Sequence, residues 1–331
     1  MAKIYTEKDA SLEPLRGRTV AVIGYGIQGR AWALNLRDSG VDVVVGLRRG
    51  GRSWQMAGGE GFRVHEVPEA VKRASVIALL IPDMEQPKVW REEIEPGLKN
   101  GDVVVFAHGF NVHFGLIQPP KYVDVVMVAP KGPGRLVRDE YAAGRGVPAL
   151  VAVHQNASGK ALEYALAVAK GIGATRAGVI ETTFREETET DLIGEQTVLV
   201  GGLMELLLKG FEIMVEMGYQ PEVAYFEAIN EAKLIMDLIW ERGIYGMLNG
   251  VSETARYGGL TVGPRVIDDS VKLRMREAAE RVRGGQFAKE WVQEHERGAP
   301  NLRRLLEAVR AHPAERVGEE VRRLMFGQWR R

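Results

Sequence analysis

The chain has 331 residues, enough for two domains, and its 44 basic side chains balance its 44 acidic ones. This balance argues against a nucleic-acid partner or an anionic membrane surface, and no long apolar run predicts a membrane span. The lack of cysteine excludes disulfides, thiolate metal sites and a cysteine nucleophile, and it fits a cytoplasmic protein. The first residues also lack the apolar segment of a signal peptide.

The first half of the chain alternates apolar strand patterns with helical patterns. Strands are predicted at residues 19–23, 41–47, 75–82, 102–108, 123–130, 147–154 and 178–184. These runs are apolar almost throughout, which is typical of parallel strands covered by helices on both faces. Segments 27–39, 67–73 and 86–98 between them have helical periodicity. The pattern predicts an α/β fold with a doubly wound parallel sheet and right-handed crossovers.

The second half has helical periodicity nearly throughout, including residues 223–240 and 270–282. One apolar stripe comprises Leu192, Leu199, Leu203, Leu206 and Leu207. We place the domain boundary after Thr182, which gives a dinucleotide-binding domain at residues 1–182 and an all-helical domain at residues 183–331. Several helices are apolar on more than one side, which predicts burial in a bundle or in an oligomer interface.

A glycine-rich turn joins the strand at 19–23 to the helix at 27–39. It comprises Gly24, Tyr25, Gly26, Ile27, Gln28 and Gly29. The glycines let the backbone approach a pyrophosphate, and the helix N-terminus supplies free N–H groups. In this strand–turn–helix context the pattern favours a dinucleotide site over an ordinary turn.

The end of the next strand indicates which dinucleotide is bound. An NAD site usually has an acidic residue here for the ribose 2′-hydroxyl, whereas this chain has Gly46. Four polar side chains follow: Arg48, Arg49, Arg52 and Ser53. Because arginine pairs with phosphate in a bidentate fork, we interpret the segment as a pocket for the 2′-phosphate of NADPH. The alternative is a solvated basic loop.

Two pairs of carboxylates are spaced i, i+4 in predicted helices: Asp191 with Glu195, and Glu227 with Glu231. This spacing puts both side chains of a pair on one helix face. Four such groups brought together would need cations, and their hard oxygen atoms suit Mg²⁺ or Mn²⁺. For one pair alone, a solvated helix face is the simpler interpretation. The neighbouring Glu187 either adds charge to such a site or faces solvent.

Three further side chains occupy positions suited to chemistry. Lys131 lies in a glycine-flanked loop after a strand, where it would pair with Glu195 or assist proton transfer, unless it is an ordinary surface lysine. His108 ends another strand, where it either relays a proton or holds the loop. Ser252 is suited to hydrogen bonding with a substrate carboxylate.

Six segments resemble those of one family, class I (short-form) ketol-acid reductoisomerase, also called acetohydroxyacid isomeroreductase. They are GYGIQGRAWALNLRDSG, AHGFNVHFG, MVAPKGPG, EETETDLIGEQTVLVGG, YQPEVAYFEAINEAKLI and TVGPRVID, and the resemblance spans residues 3–326. It implies a Mg²⁺-dependent alkyl migration on 2-acetolactate or 2-aceto-2-hydroxybutyrate and then reduction by NADPH, in valine and isoleucine biosynthesis. It also implies a Rossmann domain, a knotted helical domain, and homodimers or higher homo-oligomers.

The resemblance assigns roles to particular residues of this chain. The implied ligands of two Mg²⁺ ions are Asp191, Glu195, Glu227 and Glu231, the implied catalytic residues are His108, Lys131 and Glu195, and the substrate residue is Ser252. The implied cofactor contacts are Gly24, Tyr25, Gly26, Ile27, Gln28, Gly29, Arg48, Arg52, Ser53, Asp83, Met84, Glu85, Gln86 and Gly134. The resemblance also implies active sites that are shared between subunits, so we expect Glu227, Glu231 and Ser252 to serve the site of the partner subunit.

The chain departs from the family pattern at three positions. Gly51 replaces a common serine beside the 2′-phosphate, which removes a hydroxyl donor and leaves NADH open as a second cofactor. Asn230 replaces a histidine, and Glu253 replaces an asparagine next to Ser252. Two other functions fit the glycine-rich turn: a metal-independent NADP-linked hydroxyacid or imine dehydrogenase, and a non-catalytic nucleotide-sensing protein.

Overall fold

The computed structural model describes residues 2–327. The chain divides into two units, one ending at Thr190 and the other beginning at Asp191. This division falls inside the helix that follows the boundary predicted after Thr182, and that boundary stays a prediction.

Among residues 2–327, nine strands form one mixed sheet in the first unit. They are β1 (Ile4–Tyr5), β2 (Thr19–Ile23), β3 (Asp42–Gly46), β4 (Arg63–His65), β5 (Val76–Leu79), β6 (Val103–Phe106), β7 (Asp124–Pro130), β8 (Ala149–Gln155) and β9 (Val179–Glu181). Their order across the sheet is β1-β9-β8-β7-β6-β5-β2-β3-β4.

Helices connect most of these strands and cover both faces of the sheet. They are α1 (Ile27–Asp38), α2 (Arg52–Gly59), α3 (Val67–Arg73), α4 (Gln86–Val89), α5 (Phe110–His113), α6 (Gly134–Ala142), α7 (Ala161–Gly171) and α8 (Phe184–Gly194). Successive strand residues face opposite sides, so Val22 of β2 shares a core with Trp32 of α1, whereas Ile23 shares one with Val71 of α3. The predicted doubly wound α/β fold is confirmed.

Two strand pairs run antiparallel, which corrects the all-parallel sheet predicted from sequence. Pro130 at the end of β7 lies opposite Ala149 at the start of β8, and the Lys131 N–H donates to the Pro148 carbonyl (2.8 Å). Residues 131–148 therefore begin and end at the same edge of the sheet, because α6 does not carry the chain across it. The edge strand β1 also runs antiparallel to its neighbour β9.

The order of the strands indicates where a ligand binds. β2 lies between β3 and β5, so the chain moves outward from β2 on one side and returns to β5 on the other. A crevice opens outside the carboxyl ends of the strands at such a switch point. The loops after β2, β5, β6 and β7 all lie at this edge, because these four strands are parallel.

The second unit is helical, and residues 191–327 contain no strand. Its helices are α9 (Gly201–Glu216), α10 (Pro221–Tyr225), α11 (Glu231–Gly250), α12 (Glu253–Val266), α13 (Asp269–Arg283), α14 (Gln286–Glu296), α15 (Pro300–Arg310) and α16 (Pro313–Phe326). One core cluster includes Phe211 of α9, Tyr225 of α10 and Val321 of α16. The all-helical second half is confirmed, and the knot stays a prediction.

Candidate functional site

The glycine-rich turn has the geometry expected of a phosphate-binding loop. Gly24 has a φ of 104°, and a Cβ there would lie 2.7 Å from the Leu80 carbonyl oxygen. A Cβ on Gly29 would lie 2.2 Å from the Gly24 carbonyl oxygen. Glycine is therefore required at position 24 for the turn to pack against the segment after β5, and at position 29 for α1 to pack against the turn. A Cβ on Gly26 would meet nothing within 4 Å, so this side of the turn is open.

Three of the helices that begin at this edge of the sheet without a side-chain cap are α1, α2 and α6. Their N-cap residues are Gly26 for α1, Gly51 for α2 and Pro133 for α6. A Cβ on Gly134 would lie 2.1 Å from the Ile27 carbonyl oxygen, so the first turns of α1 and α6 are in contact. Uncapped N–H groups and the positive ends of helix dipoles suit phosphate groups.

A cleft of about 590 Å³ joins the glycine-rich turn to the start of α2. Its lining includes Gly26, Arg48, Gly51, Arg52, Ser53 and Glu85. Three of these side chains, those of the two arginines and the serine, are hydrogen-bond donors suited to phosphate. The cleft therefore fits a dinucleotide that carries a 2′-phosphate. Arg49, which was also predicted to lie in this pocket, instead has its Nη2 4.0 Å from Glu66 Oε2.

The loop after β5 is held by buried amides. Gln86 is 5% exposed, and its Nε2 donates to the Ile81 carbonyl (2.9 Å) and to Asp83 Oδ1 (3.2 Å). Asn111 of α5, which sequence reasoning did not identify, is buried and donates to the Asp83 carbonyl and to Gln86 Oε1 (2.9 Å each). Asp83 and Met84 are half-buried. Gln86 thus braces the loop that we expect to contact the cofactor.

A buried carboxylate joins the loops that follow β6 and β7. Glu187 of α8 is 1% exposed. Its Oε1 accepts a hydrogen bond from Lys131 Nζ (2.9 Å), and its Oε2 lies 3.0 Å from His108 Nδ1 and accepts from the Gly109 N–H (3.2 Å). We call Glu187, His108 and Lys131 the Glu187 cluster. Sequence reasoning left Glu187 undecided, and the structure makes it the centre of this group.

The charges of the Glu187 cluster fix its protonation. Burial raises the pKa of Glu187, but hydrogen bonding to His108 and the charge of Lys131 outweigh burial, so the net pKa lies below the ordinary 4.5. The carboxylate is therefore ionised at neutral pH. Because an ionised carboxylate only accepts hydrogen bonds, the Nδ1 of His108 must carry a hydrogen.

The four carboxylates predicted as metal ligands lie in the second unit: Asp191, Glu195, Glu227 and Glu231. Asp191 is half-buried and the other three are exposed. Their oxygen donors fit Mg²⁺ in number and chemistry. In the part of the chain that the structure describes, however, no three of them place ligand oxygens within 4.8 Å of one another.

Each carboxylate pair is associated with a π-turn, a helical turn closed by an i→i+5 hydrogen bond. The first, Glu195–Leu199, is closed by the Val200 N–H donating to the Glu195 carbonyl (3.0 Å). The second, Phe226–Asn230, contains Glu227. Such turns are frequent at functional sites. The regular α-helical spacing predicted from sequence is therefore wrong for Glu227 and Glu231, because the second π-turn adds one residue between them. The first π-turn begins at Glu195, so the α-helical spacing from Asp191 to Glu195 is kept.

Two glycines make room for the first π-turn. A Cβ on Gly201 would lie 2.3 Å from the Gln196 carbonyl oxygen, and one on Gly202 would lie 2.1 Å from the Thr197 carbonyl oxygen. Each contact reaches five residues back along the chain. The double glycine after residues 195–200 is the sequence signal for this turn, and we did not recognise it.

Ser252, the predicted substrate residue, is exposed and caps α12 in the described structure. Its Oγ accepts a hydrogen bond from the Ala255 N–H (3.2 Å). The hydroxyl hydrogen is not used by this cap, so the same side chain can donate to a substrate oxygen.

Two family models together match most of the chain. Residues 14–178 match "Acetohydroxy acid isomeroreductase, NADPH-binding domain". Residues 184–326 match "Ketol-acid reductoisomerase, C-terminal domain".

Individual proteins match over nearly their full length. A "Ketol-acid reductoisomerase (NADP(+))" of Pyrobaculum aerophilum is 76% identical, covering 99% of this chain and 100% of the relative. A "Ketol-acid reductoisomerase (NAD(P)(+))" of Metallosphaera sedula is 60% identical, with 98% and 97% covered. The structure of an NADH-preferring ketol-acid reductoisomerase from an uncultured archaean is 48% identical, with a TM-score of 0.95 over 98% of this chain and 100% of that one. The chain therefore belongs to the ketol-acid reductoisomerase family of oxidoreductases.

Proposed function

We propose that the protein catalyses a Mg²⁺-dependent alkyl migration on 2-acetolactate and 2-aceto-2-hydroxybutyrate, then reduces the 2-keto-acid product with NADPH to the 2,3-dihydroxy acid. This reaction belongs to valine and isoleucine biosynthesis, and we propose a cytoplasmic location on that ground. The observation that carries the proposal is the Glu187 cluster, which holds a lysine and a histidine at the same sheet edge as the dinucleotide cleft.

The proposed cofactor is NADPH. The side chains of Arg48, Arg52 and Ser53 at the cleft supply donors for a 2′-phosphate, and the uncapped start of α2 adds backbone N–H groups. Gly51 contributes no hydroxyl, and one relative is named for NAD(P)(+). We therefore propose that NADPH is preferred and that NADH is also used.

The chemistry divides between the two units of the chain. When bound by Asp191, Glu195, Glu227 and Glu231, two Mg²⁺ ions would supply positive charge that stabilises negative charge developing on substrate oxygens. Ser252 donates a hydrogen bond to the substrate carboxylate. These five side chains define the proposed metal and substrate site.

The Glu187 cluster provides a positive charge and a group for proton transfer. Glu187 fixes the direction of the His108 ring through Nδ1, so His108 exchanges a proton with the substrate through Nε2. The same carboxylate holds the ammonium group of Lys131, which keeps a positive charge at this edge. A fixed cation and a fixed imidazole are suited to protonating the oxygen that reduction leaves negative.

We further propose a homodimer or higher homo-oligomer in which Glu227, Glu231 and Ser252 serve the site of the partner subunit. Apolar side chains on α11 and α12 support this, because Trp240 is 88% exposed and Tyr257 is 74% exposed. Such exposure on neighbouring helices indicates a surface that a second copy covers.

An assay of NADPH oxidation with 2-acetolactate tests the function directly. We expect turnover with Mg²⁺ and none in EDTA, because the substrate oxygens need the cations. Turnover in EDTA would instead indicate a metal-independent dehydrogenase. Nucleotide binding without turnover in either condition would indicate a non-catalytic nucleotide-binding protein.

A further inference from the structure

Glu60 lies where three parts of the nucleotide-binding unit meet. It directly follows α2, and its Oε2 accepts a hydrogen bond from the hydroxyl of Tyr25 in the glycine-rich turn (2.5 Å). Arg30 of α1 donates from Nε to both carboxylate oxygens (3.0 and 3.1 Å). Arg37, also on α1, donates from Nη1 to the Glu60 carbonyl (2.8 Å). We call Tyr25, Arg30, Arg37, Glu60 and Phe62 the Glu60 cluster.

Aromatic packing and charge make this cluster rigid. The Tyr25 side chain is buried, and its ring packs edge-on against Phe62 with centroids 5.8 Å apart. The guanidinium of Arg37 lies 4.8 Å from the centre of the same Phe62 ring. Hydrogen bonding from Arg30 lowers the pKa of Glu60, while burial and the hydrogen bond to Glu60 raise the pKa of Tyr25. At neutral pH the acceptor is therefore charged and the hydroxyl keeps its hydrogen.

The helix held by this cluster has few other restraints. α2 has eight residues, begins after Gly51 and ends in Gly58 and Gly59. A helix of this length does not persist by itself, and glycine weakens it further. Within α2 only Ala57 is buried, with Trp54 packed at the edge of the same core. The location of α2 therefore depends strongly on the contacts at its two ends.

We propose that Glu60 is a positioning residue that fixes α2 and thereby places Arg52 and Ser53 around the 2′-phosphate of NADPH. The inference rests on the proposed function, which supplies that phosphate. Eight residues at 1.5 Å each make a rod about 12 Å long, so displacement of its last turn also moves its first turn. NADH has no 2′-phosphate, so its binding depends less on where α2 begins.

Direct binding to the intact protein tests this. The dissociation constants of NADPH and NADH are measured by titration calorimetry for the wild type, Glu60→Ala, Glu60→Gln and Tyr25→Phe. We expect Glu60→Ala to lower the preference for NADPH about tenfold, since bidentate phosphate binding is sensitive to small displacements. Glu60→Gln and Tyr25→Phe should lower it less, because each keeps part of the cluster. The matched control is Glu69→Ala, which removes only an exposed ion pair with Arg73 on α3.

Steady-state kinetics provide the second measurement. We expect the Michaelis constant for NADPH to rise in Glu60→Ala and Glu60→Gln while kcat at saturating NADPH stays near that of the wild type. Equal weakening of NADPH and NADH, or an unchanged preference, would overturn the inference and leave Glu60 with a structural role only. If Glu60→Ala does not fold, the other two variants decide. A wild type without any preference for NADPH would overturn both the 2′-phosphate site and the inference.

Discussion

At the scale of single residues, Glu187 organises the proposed chemistry. One carboxylate accepts hydrogen bonds from a lysine, a histidine and a backbone N–H, and almost none of it is exposed. A buried charge is stable only when it is paired in this way. Glu187 therefore sets where Lys131 and His108 lie relative to each other, and so which atoms of a substrate they reach.

We predict that Glu187→Gln lowers kcat for 2-acetolactate about 100-fold, since general acid–base catalysis contributes on this order. The glutamine amide has nearly the same shape as the glutamate carboxylate but has no charge. Its N–H hydrogens would also face the hydrogen-bond donors that surround Glu187. Binding of NADPH, measured by calorimetry, should be unchanged. The matched control is Glu186→Gln, one residue away on the same helix, where the exposed carboxylate accepts a hydrogen bond from Thr182 Oγ1 (2.7 Å). Equal loss of activity in both variants would refute the role given to Glu187.

The sequence predicted some of these residues and not others for a physical reason. Gly24 and Gly29 were predictable because backbone geometry at a strand–turn–helix junction demands glycine. Glu187 was not, because its partners are 79 and 56 residues away in the chain and a single glutamate on a helix carries no pattern. Its spacing of one helical turn before Asp191 was the available signal.

At the scale of elements, the π-turns determine how the carboxylates are presented. The extra residue in Glu195–Leu199 widens the helix, and Gly201 and Gly202 leave space for the displaced carbonyl groups. A side chain at either glycine would meet backbone, which cannot rotate away as a flexible side chain can. The shape of the first π-turn therefore depends on this pair.

We predict that Gly202→Ala destabilises the protein by about 1–3 kcal/mol, the usual range for overpacking. It should also reduce Mg²⁺-dependent turnover, since the turn carrying Glu195 must shift. Urea unfolding followed by circular dichroism measures the first effect. The matched control is Gly210→Ala on the same helix, where the new Cβ would lie 3.5 Å from the Ala228 Cβ, an ordinary contact. Alanine there should leave stability equal or raise it by up to about 1 kcal/mol. A Gly202→Ala protein as stable and active as the control would contradict the account.

Strand and helix types were predictable from periodicity, but their local irregularities were not. Residues 147–154 were correctly predicted as a strand. The predicted parallel direction was wrong, because the direction of this strand depends on where the segment containing α6 returns to the sheet. β1 and β4 have only two and three residues, too few to show a pattern. A π-turn differs from an α-helix by a single residue, which the apolar spacing does not reveal.

At the scale of the whole molecule, the exposed apolar surface of the second unit is the main unexplained feature of a single chain. Trp240, Ile244 and Tyr245 of α11 are 88%, 68% and 79% exposed. Among residues 2–327, no helix combines the length and apolar character needed to cross a membrane. The sequence predicted helices that are apolar on several sides, and the structure shows which of those sides one chain leaves uncovered.

We predict that two inactive variants restore activity to each other when their subunits reassort. If Asp191→Asn and Glu231→Gln affect opposite halves of a shared site, random pairing in a twofold dimer returns about a quarter of wild-type activity. Co-expression with two different affinity tags, followed by the NADPH assay, measures this. The control mixes Asp191→Asn with Glu195→Gln, which lie in the same half and should remain inactive together. No recovery in the first mixture would show that each site belongs to one chain.

The pairing of β1 with β9 has a consequence for chain connectivity. Ile4 lies opposite Ile180 in the register, and the Glu181 N–H donates to the Lys3 carbonyl (3.0 Å). The first and last strands of this sheet in chain order are therefore neighbours, so a short peptide would join them without disturbing the sheet. New termini opened at the exposed bend around Gly144 would then give a circular permutant with every strand in its original place.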